Sequence, residues 1–137
     1  MTTNINTRQL VANDQRAIIT ADLFGVYFPI QLEPFIFSMA SRLSEDYGGG
    51  SWFFWKLGNG AFYMAPDSEG QFQVISPNGW EGFMSADAFG VAVCLFAFSH
   101  LSFDEGAFAL TCSDHFHLLL EYALDHAEAR AILAATD

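Results

Sequence analysis

Apolar positions along the chain change period several times, and each change marks an element. Phe35, Met39, Leu43 and Tyr47 recur every four residues, with Ile36 and Ala40 beside them. That spacing predicts an amphipathic helix over 34–47, opened by Pro34 and ended by Gly48. Ser38, Arg42, Ser44, Glu45 and Asp46 form its polar side. The period then falls to two. Residues 52–57 and 61–65 alternate and are rich in the aromatics that pleated sheets favour. Gly58-Asn59-Gly60 between them tolerates positive φ, so the pair reads as a β-hairpin. Trp52 and Phe54 face one side and Phe53 and Trp55 the other, so both faces need cover. Residues 71–76 (QFQVIS) predict a third strand, and 80–84 a short fourth after the Pro77-Asn78-Gly79 turn. Consecutive strands on short turns favour an antiparallel meander.

Residues 85–87 begin a helix over 86–101, with Ser85 as cap and Asp87 at the positive end of the dipole. From 91 to 98 this helix is apolar all round, which places it in the core, and Gly90 predicts close approach to a strand. The other stretches carry weaker signals. Residues 1–13 are polar and aperiodic and read as a poorly ordered tail. Asp14 caps a short helix over 14–20, and 23–29 cross the core as an irregular connector. Residues 108–112 fit either a strand or a helix. Ser113 caps a last helical region over 115–135, broken near His126, with Leu118, Leu119 and Tyr122 on its apolar side. The expected fold is α+β in one domain spanning 1–137. A small, aromatic-rich antiparallel meander of three to four strands packs with several helices, including a buried central one.

Composition narrows the function. Five Lys and Arg against sixteen Asp and Glu give a net charge of −11, and the basic residues are scattered. A phosphate-binding groove needs clustered cations, so direct nucleic-acid binding is not expected, whereas a basic protein partner is attracted. The longest apolar run has eight residues, too short for a bilayer, and the N-terminus lacks the charged and apolar regions of a signal peptide. With two isolated cysteines, the chain reads as a cytoplasmic protein with reduced thiols.

Candidate chemistry is sparse. Cys112, His115 and His117 are close in sequence, but on a helix the two histidines point about 200° apart and would not share an ion. No nucleophile elbow, zinc-protease helix or phosphate loop occurs, so neither metal nor cofactor is expected and the protein reads as non-catalytic. Trp52, Trp55 and Trp80 could stack on a ligand's rings, though packing is the commoner fate of such residues. The most suggestive pattern is acidic. Asp114, Glu121, Asp125 and Glu128 fall at i, i+7, i+11 and i+14. On one continuous helix they share a face over about 20 Å, a candidate partner-binding row that could imitate DNA.

Three stretches together carry a resemblance. Residues 47–67 contain W-x-F-aromatic followed by G-x-F-Y-M-A-P-D, 85–101 begin S-A-D-A-x-G, and 122–137 end HAEARAILAATD. This combination resembles the ArdB/KlcA antirestriction family. The family often has proline after the histidine of the last motif, where this chain has Ala127. The resemblance implies a small α+β protein of plasmids or genomic islands. Such proteins protect incoming DNA from type I restriction enzymes, sparing methylation. The partner it implies is the host type I restriction complex or an associated host factor. It carries over no catalytic residues. Its motif positions here, Trp52, Phe62, Tyr63, Met64, Pro66, Asp67, Ser85, Asp87 and Gly90, read as fold determinants as much as contacts. The rival reading is a small-ligand-binding domain using the aromatic sheet.

Overall fold

A computed structural model describes residues 7–137. Strand β1 (Arg8–Leu10) is followed by a 3-10 turn and α1 (Arg16–Phe24). A π-helical turn (Phe28–Leu32) leads into α2 (Glu33–Leu43). Strands β2 (Trp52–Leu57), β3 (Phe62–Pro66), β4 (Gln71–Ile75) and β5 (Glu81–Ser85) come next. Helices α3 (Ala86–Ser102), α4 (Ala107–Leu124) and α5 (Ala129–Thr136) complete the chain.

The hairpin forms as its sequence predicts, with Phe54 opposite Met64 and Trp55 opposite Tyr63. Leu57 N–H donates to Ala61 O, Gly60 takes φ +92°, and the Asn59 side chain bonds both Ala61 N and Leu118 O. Trp52, Phe54 and Leu57 point into the core, while Phe53 and Trp55 are half-buried. A ring cluster of Phe24, Phe28, Phe54, Phe62 and Phe98 with centroids 5.6–5.9 Å apart ties β2 and β3 to α1, the π-turn and α3.

The strands form two sheets rather than one meander: β1-β2-β3, all antiparallel, and the separate hairpin β4-β5. The reason lies at the edge of β3, where β4 would have to pair. Helix α3 occupies that edge. A Cβ on Gly90 would stand 2.4 Å from Met64 O and from Ala65 Cβ, and Met64 N–H reaches Cys94 Sγ at 3.4 Å. A sheet edge sealed by a helix offers no backbone to another strand. Helix α3 is buried along most of its length, as its continuous apolarity predicts, and Ser85 Oγ accepts from Ala88 N–H at its start.

Other boundaries moved for identifiable reasons. Within the stretch read as a tail, Arg8–Leu10 pairs with β2; residues 1–6 lie outside the described residues. The predicted connector is mostly helical, with a corner at Gly25 (φ +63°). Helix α2 stops at Leu43, because Ser44 turns extended and its Oγ accepts from Asp46 N–H, a local bond that competes with the helix. Tyr47 then serves as acceptor for Trp52 Nε1 at 3.1 Å. Helix α4 begins at Ala107, behind Gly106 (φ +101°), so 108–112 are helical and Ser113 is interior rather than a cap. No single helix among the described residues is long and apolar enough to cross a membrane.

Candidate functional site

Four segments distant in sequence meet in one polar cluster. The break between α4 and α5 positions its centre. Asp125 N–H and His126 N–H bond back to Tyr122 and Ala123, ending the helix, and the His126 ring swings toward the start of α3. There its Nε2 lies 2.8 Å from Asp87 Oδ2. Asp87 Oδ1 accepts from Tyr63 OH at 2.8 Å and from Arg8 at 2.7 Å, and Arg8 also donates to the Tyr63 oxygen at 2.7 Å. The Arg8 guanidinium lies 3.8 Å over the Trp55 ring, which orients it.

Glu128 completes the cluster from the other side. Its backbone N–H donates to His126 Nδ1 at 2.9 Å, and its carboxylate accepts from Ser85 N–H at 2.9 Å and from the Ser85 hydroxyl. Since Nδ1 accepts a backbone proton, the neutral ring carries its own proton on Nε2 and donates it to Asp87. Both ring nitrogens are thereby engaged, and in this geometry His126 latches the α4–α5 turn to the start of α3.

The electrostatics match that role. Burial alone would raise the Asp87 carboxyl, but hydrogen bonds from His126 and Tyr63 and the Arg8 charge outweigh it and hold the pKa below its ordinary value. Burial, reinforced by the Asp87 charge, raises the Tyr63 phenol, which therefore stays a neutral donor. A shallow cavity of about 360 Å³ opens over Arg8, Asp87, Tyr122, Asp125, His126 and Glu128. One guanidinium faces three carboxylates there, a balance that repels anions.

The predicted residues take these places. Phe62, Tyr63 and Met64 are fully buried, and Trp52 is nearly so. Pro66 ends β3, and Asp67 is exposed beyond it. Asp114 and Glu121 are exposed on α4, but the helix stops at Leu124, so Asp125 caps its end and Glu128 lies past the break. The continuous acidic helical face is therefore not formed, and the Glu128 carboxylate is spent on Ser85. Cys112 and His115 are buried, His115 beside the Phe24 and Phe98 rings, whereas His117 is exposed. Burial lowers the His115 pKa, partly offset by Asp114. No group of three His, Cys, Asp or Glu among the described residues could hold a metal ion. Sequence reasoning missed Arg8, placed in the tail, and the latch role of His126. The one available signal was an arginine in a chain with few cations.

Tyr63, Ser85, Asp87, His126 and Glu128 thus connect the same three stretches that carry the resemblance. Residues 45–137 match the family model described as antirestriction protein. The chain belongs to the antirestriction protein family. It is 39% identical to the uncharacterized protein YafX of Escherichia coli K12, over 93% of this chain and 85% of that one. It is 41% identical to an antirestriction protein KlcA of Escherichia coli, over 77% and 74%. The fold matches a solved structure of the KlcA and ArdB antirestriction proteins with a TM-score of 0.89 and 35% identity, covering 100% of both chains. Those proteins have antirestriction activity against type I DNA restriction systems in vivo but not in vitro. In antirestriction family terms, the polar latch holds the F-Y-M-A-P-D strand, the S-A-D-A helix and the closing helix in one arrangement.

Proposed function

We propose that this protein protects incoming plasmid or phage DNA from host type I restriction endonucleases, without catalysis and sparing methylation. The observation that carries the reading is the likeness over the whole chain to the KlcA and ArdB structure, whose proteins act in vivo but not in vitro. An activity confined to cells favours a route through a host factor over simple occlusion of the enzyme. The broken acidic face points the same way. A DNA surrogate needs a dense, continuous carboxylate row, and here the row is split at Leu124 and loses Glu128 to a structural bond.

The test is plating of unmodified phage on cells carrying a type I system, with and without the protein, scoring methylation of the survivors. At least tenfold restored plating with methylation intact is expected. Restoration with methylation lost would instead favour a DNA surrogate. Unchanged plating with soluble protein present would end the proposal.

A further inference from the structure

A second site, remote in kind from the latch, lies where α1 and the following helical segment meet. Residues 13–24 and 28–43 form two helical arms bent by 97°, with the corner at Gly25. In the angle is a cavity of about 480 Å³, within the size range of small-molecule sites. Phe28 and Phe54 form part of its lining. Ala17 and Ala21, one turn apart on α1, also line it and are exposed, as is Val26 at 60%. A surface helix normally turns charge to solvent, so an apolar wall facing a cavity is out of place unless something covers it.

The polar groups are few and opposed. Arg16 starts α1 and Glu33 starts α2, and both line the cavity. The Arg16 guanidinium lies 4.2 Å over the Phe54 ring and donates one N–H to Trp52 O at 2.6 Å. Its Nε–H is buried without a partner and out of a ligand's reach, and the bond to Trp52 uses Nη2 alone, so the oriented fork keeps donor capacity on its Nη atoms. A guanidinium fixed in this way on an apolar surface is suited to a planar carboxylate or a sulfonate. Glu33 opposite disfavours a second negative charge.

We infer that this cleft is a binding site for a small, largely apolar monoanion, an aromatic or medium-chain acid whose anionic group lies on Arg16 and whose body rests against Ala17, Ala21 and Phe28. This reaches beyond the antirestriction reading and does not depend on it.

The probe is 8-anilinonaphthalene-1-sulfonate, titrated by fluorescence against the full chain, with decanoate as competitor and uncharged N-phenyl-1-naphthylamine as control. Saturable one-site binding displaced by decanoate is expected. Arg16→Gln should weaken it about tenfold, the loss of a charge-assisted hydrogen bond, and Glu33→Gln should tighten it. Ala21→Phe should abolish it by filling the cleft. Because Ala21 is exposed, that variant keeps the fold, which a circular-dichroism melt checks. Arg16→Gln also loses the Trp52 bond, so Ala21→Phe is the independent arm. The inference fails if no saturable binding occurs, or if Ala21→Phe and Arg16→Gln bind the dye like the parent. It also fails if the uncharged naphthylamine binds as tightly as the sulfonate, since Arg16 then reads no anion.

Discussion

Gly90 of α3 lies against Ala65 of β3 so closely that any added Cβ would stand 2.4 Å from the Ala65 Cβ and 2.5 Å from its Cα. The atoms in the way are backbone and the first side-chain carbon, which cannot swing aside. Helix and strand would have to separate, opening the edge that Cys94 closes. Gly90→Ala is expected to destabilise the protein by about 3 kcal/mol, at the upper end for overpacking, despite alanine's better helix propensity. Urea denaturation of the two proteins checks it; a change within about 0.5 kcal/mol would mean that helix and strand sit farther apart.

Asp87 predicts a pH dependence. Its folded pKa lies below the ordinary 3.8, so the carboxylate contributes fully above about pH 4. As pH falls, the unfolded chain takes up this proton first, and the contribution is lost through the lower folded value. Asp87→Asn should cost about 2 kcal/mol at pH 6, discounted for the partial exposure of the pair with Arg8. The gap should narrow below pH 4. Denaturant melts at several pH values measure it, and a constant gap would contradict the assignment.

His115 predicts a second slope in a different window. Burial lowers its folded pKa below the ordinary 6.5, with Asp114 opposing in part. Below about pH 7 the unfolded chain therefore binds a proton that the folded one does not, and stability declines until the folded value is passed. Its Nδ1 has no hydrogen-bond partner. His115→Phe, beside the rings of Phe24 and Phe98, should flatten the slope between pH 7 and pH 5 and equal or exceed the parent's stability at pH 5.5. Thermal melts across that range decide it.

The acidic residues should separate by role. Glu128→Ala strips the acceptor from Ser85 N–H and hydroxyl at the start of α3 and is expected to cost about 1–2 kcal/mol. Neutralising exposed Asp114 and Glu121 together should leave stability within about 0.5 kcal/mol. Under the host-factor reading it should also leave phage plating protected. Loss of protection in a stably folded Asp114→Asn, Glu121→Gln protein would restore α4 as a contact surface.

How much of this was legible in the sequence depended on range. The β2-β3 hairpin, β4, and α3 with its Ser85 cap are local features, written in period and turn residues, and they form as predicted. Boundaries set by competing side-chain bonds were not legible: Ser44 ends α2 by bonding Asp46, a choice no apolar period records. Nor was the separation of the sheets, which follows from Gly90 and Cys94 meeting β3 across 25 to 30 residues. The candidate site was the least legible part. Asp87 was readable as a helix-start charge, but its partner Arg8 comes from a stretch with no period, and His126 lies at a break whose place was expected but whose ring direction no period records. The acidic row was inferred on an unbroken helix, and the turn after Leu124 removed its premise.

The latch joins residues 8, 63, 87 and 126, so it can close only after β1, β3, α3 and the α4–α5 turn have all docked. Closing so many long loops is entropically slow, and local helices and the hairpin can form without it. The network is therefore expected to form in the last stage of folding, outside the rate-limiting nucleus, which φ-values near zero for Asp87→Asn would bear out. Weakening it should leave the folding rate almost unchanged and speed unfolding, so the latch governs how long a folded molecule lasts rather than how fast one is made.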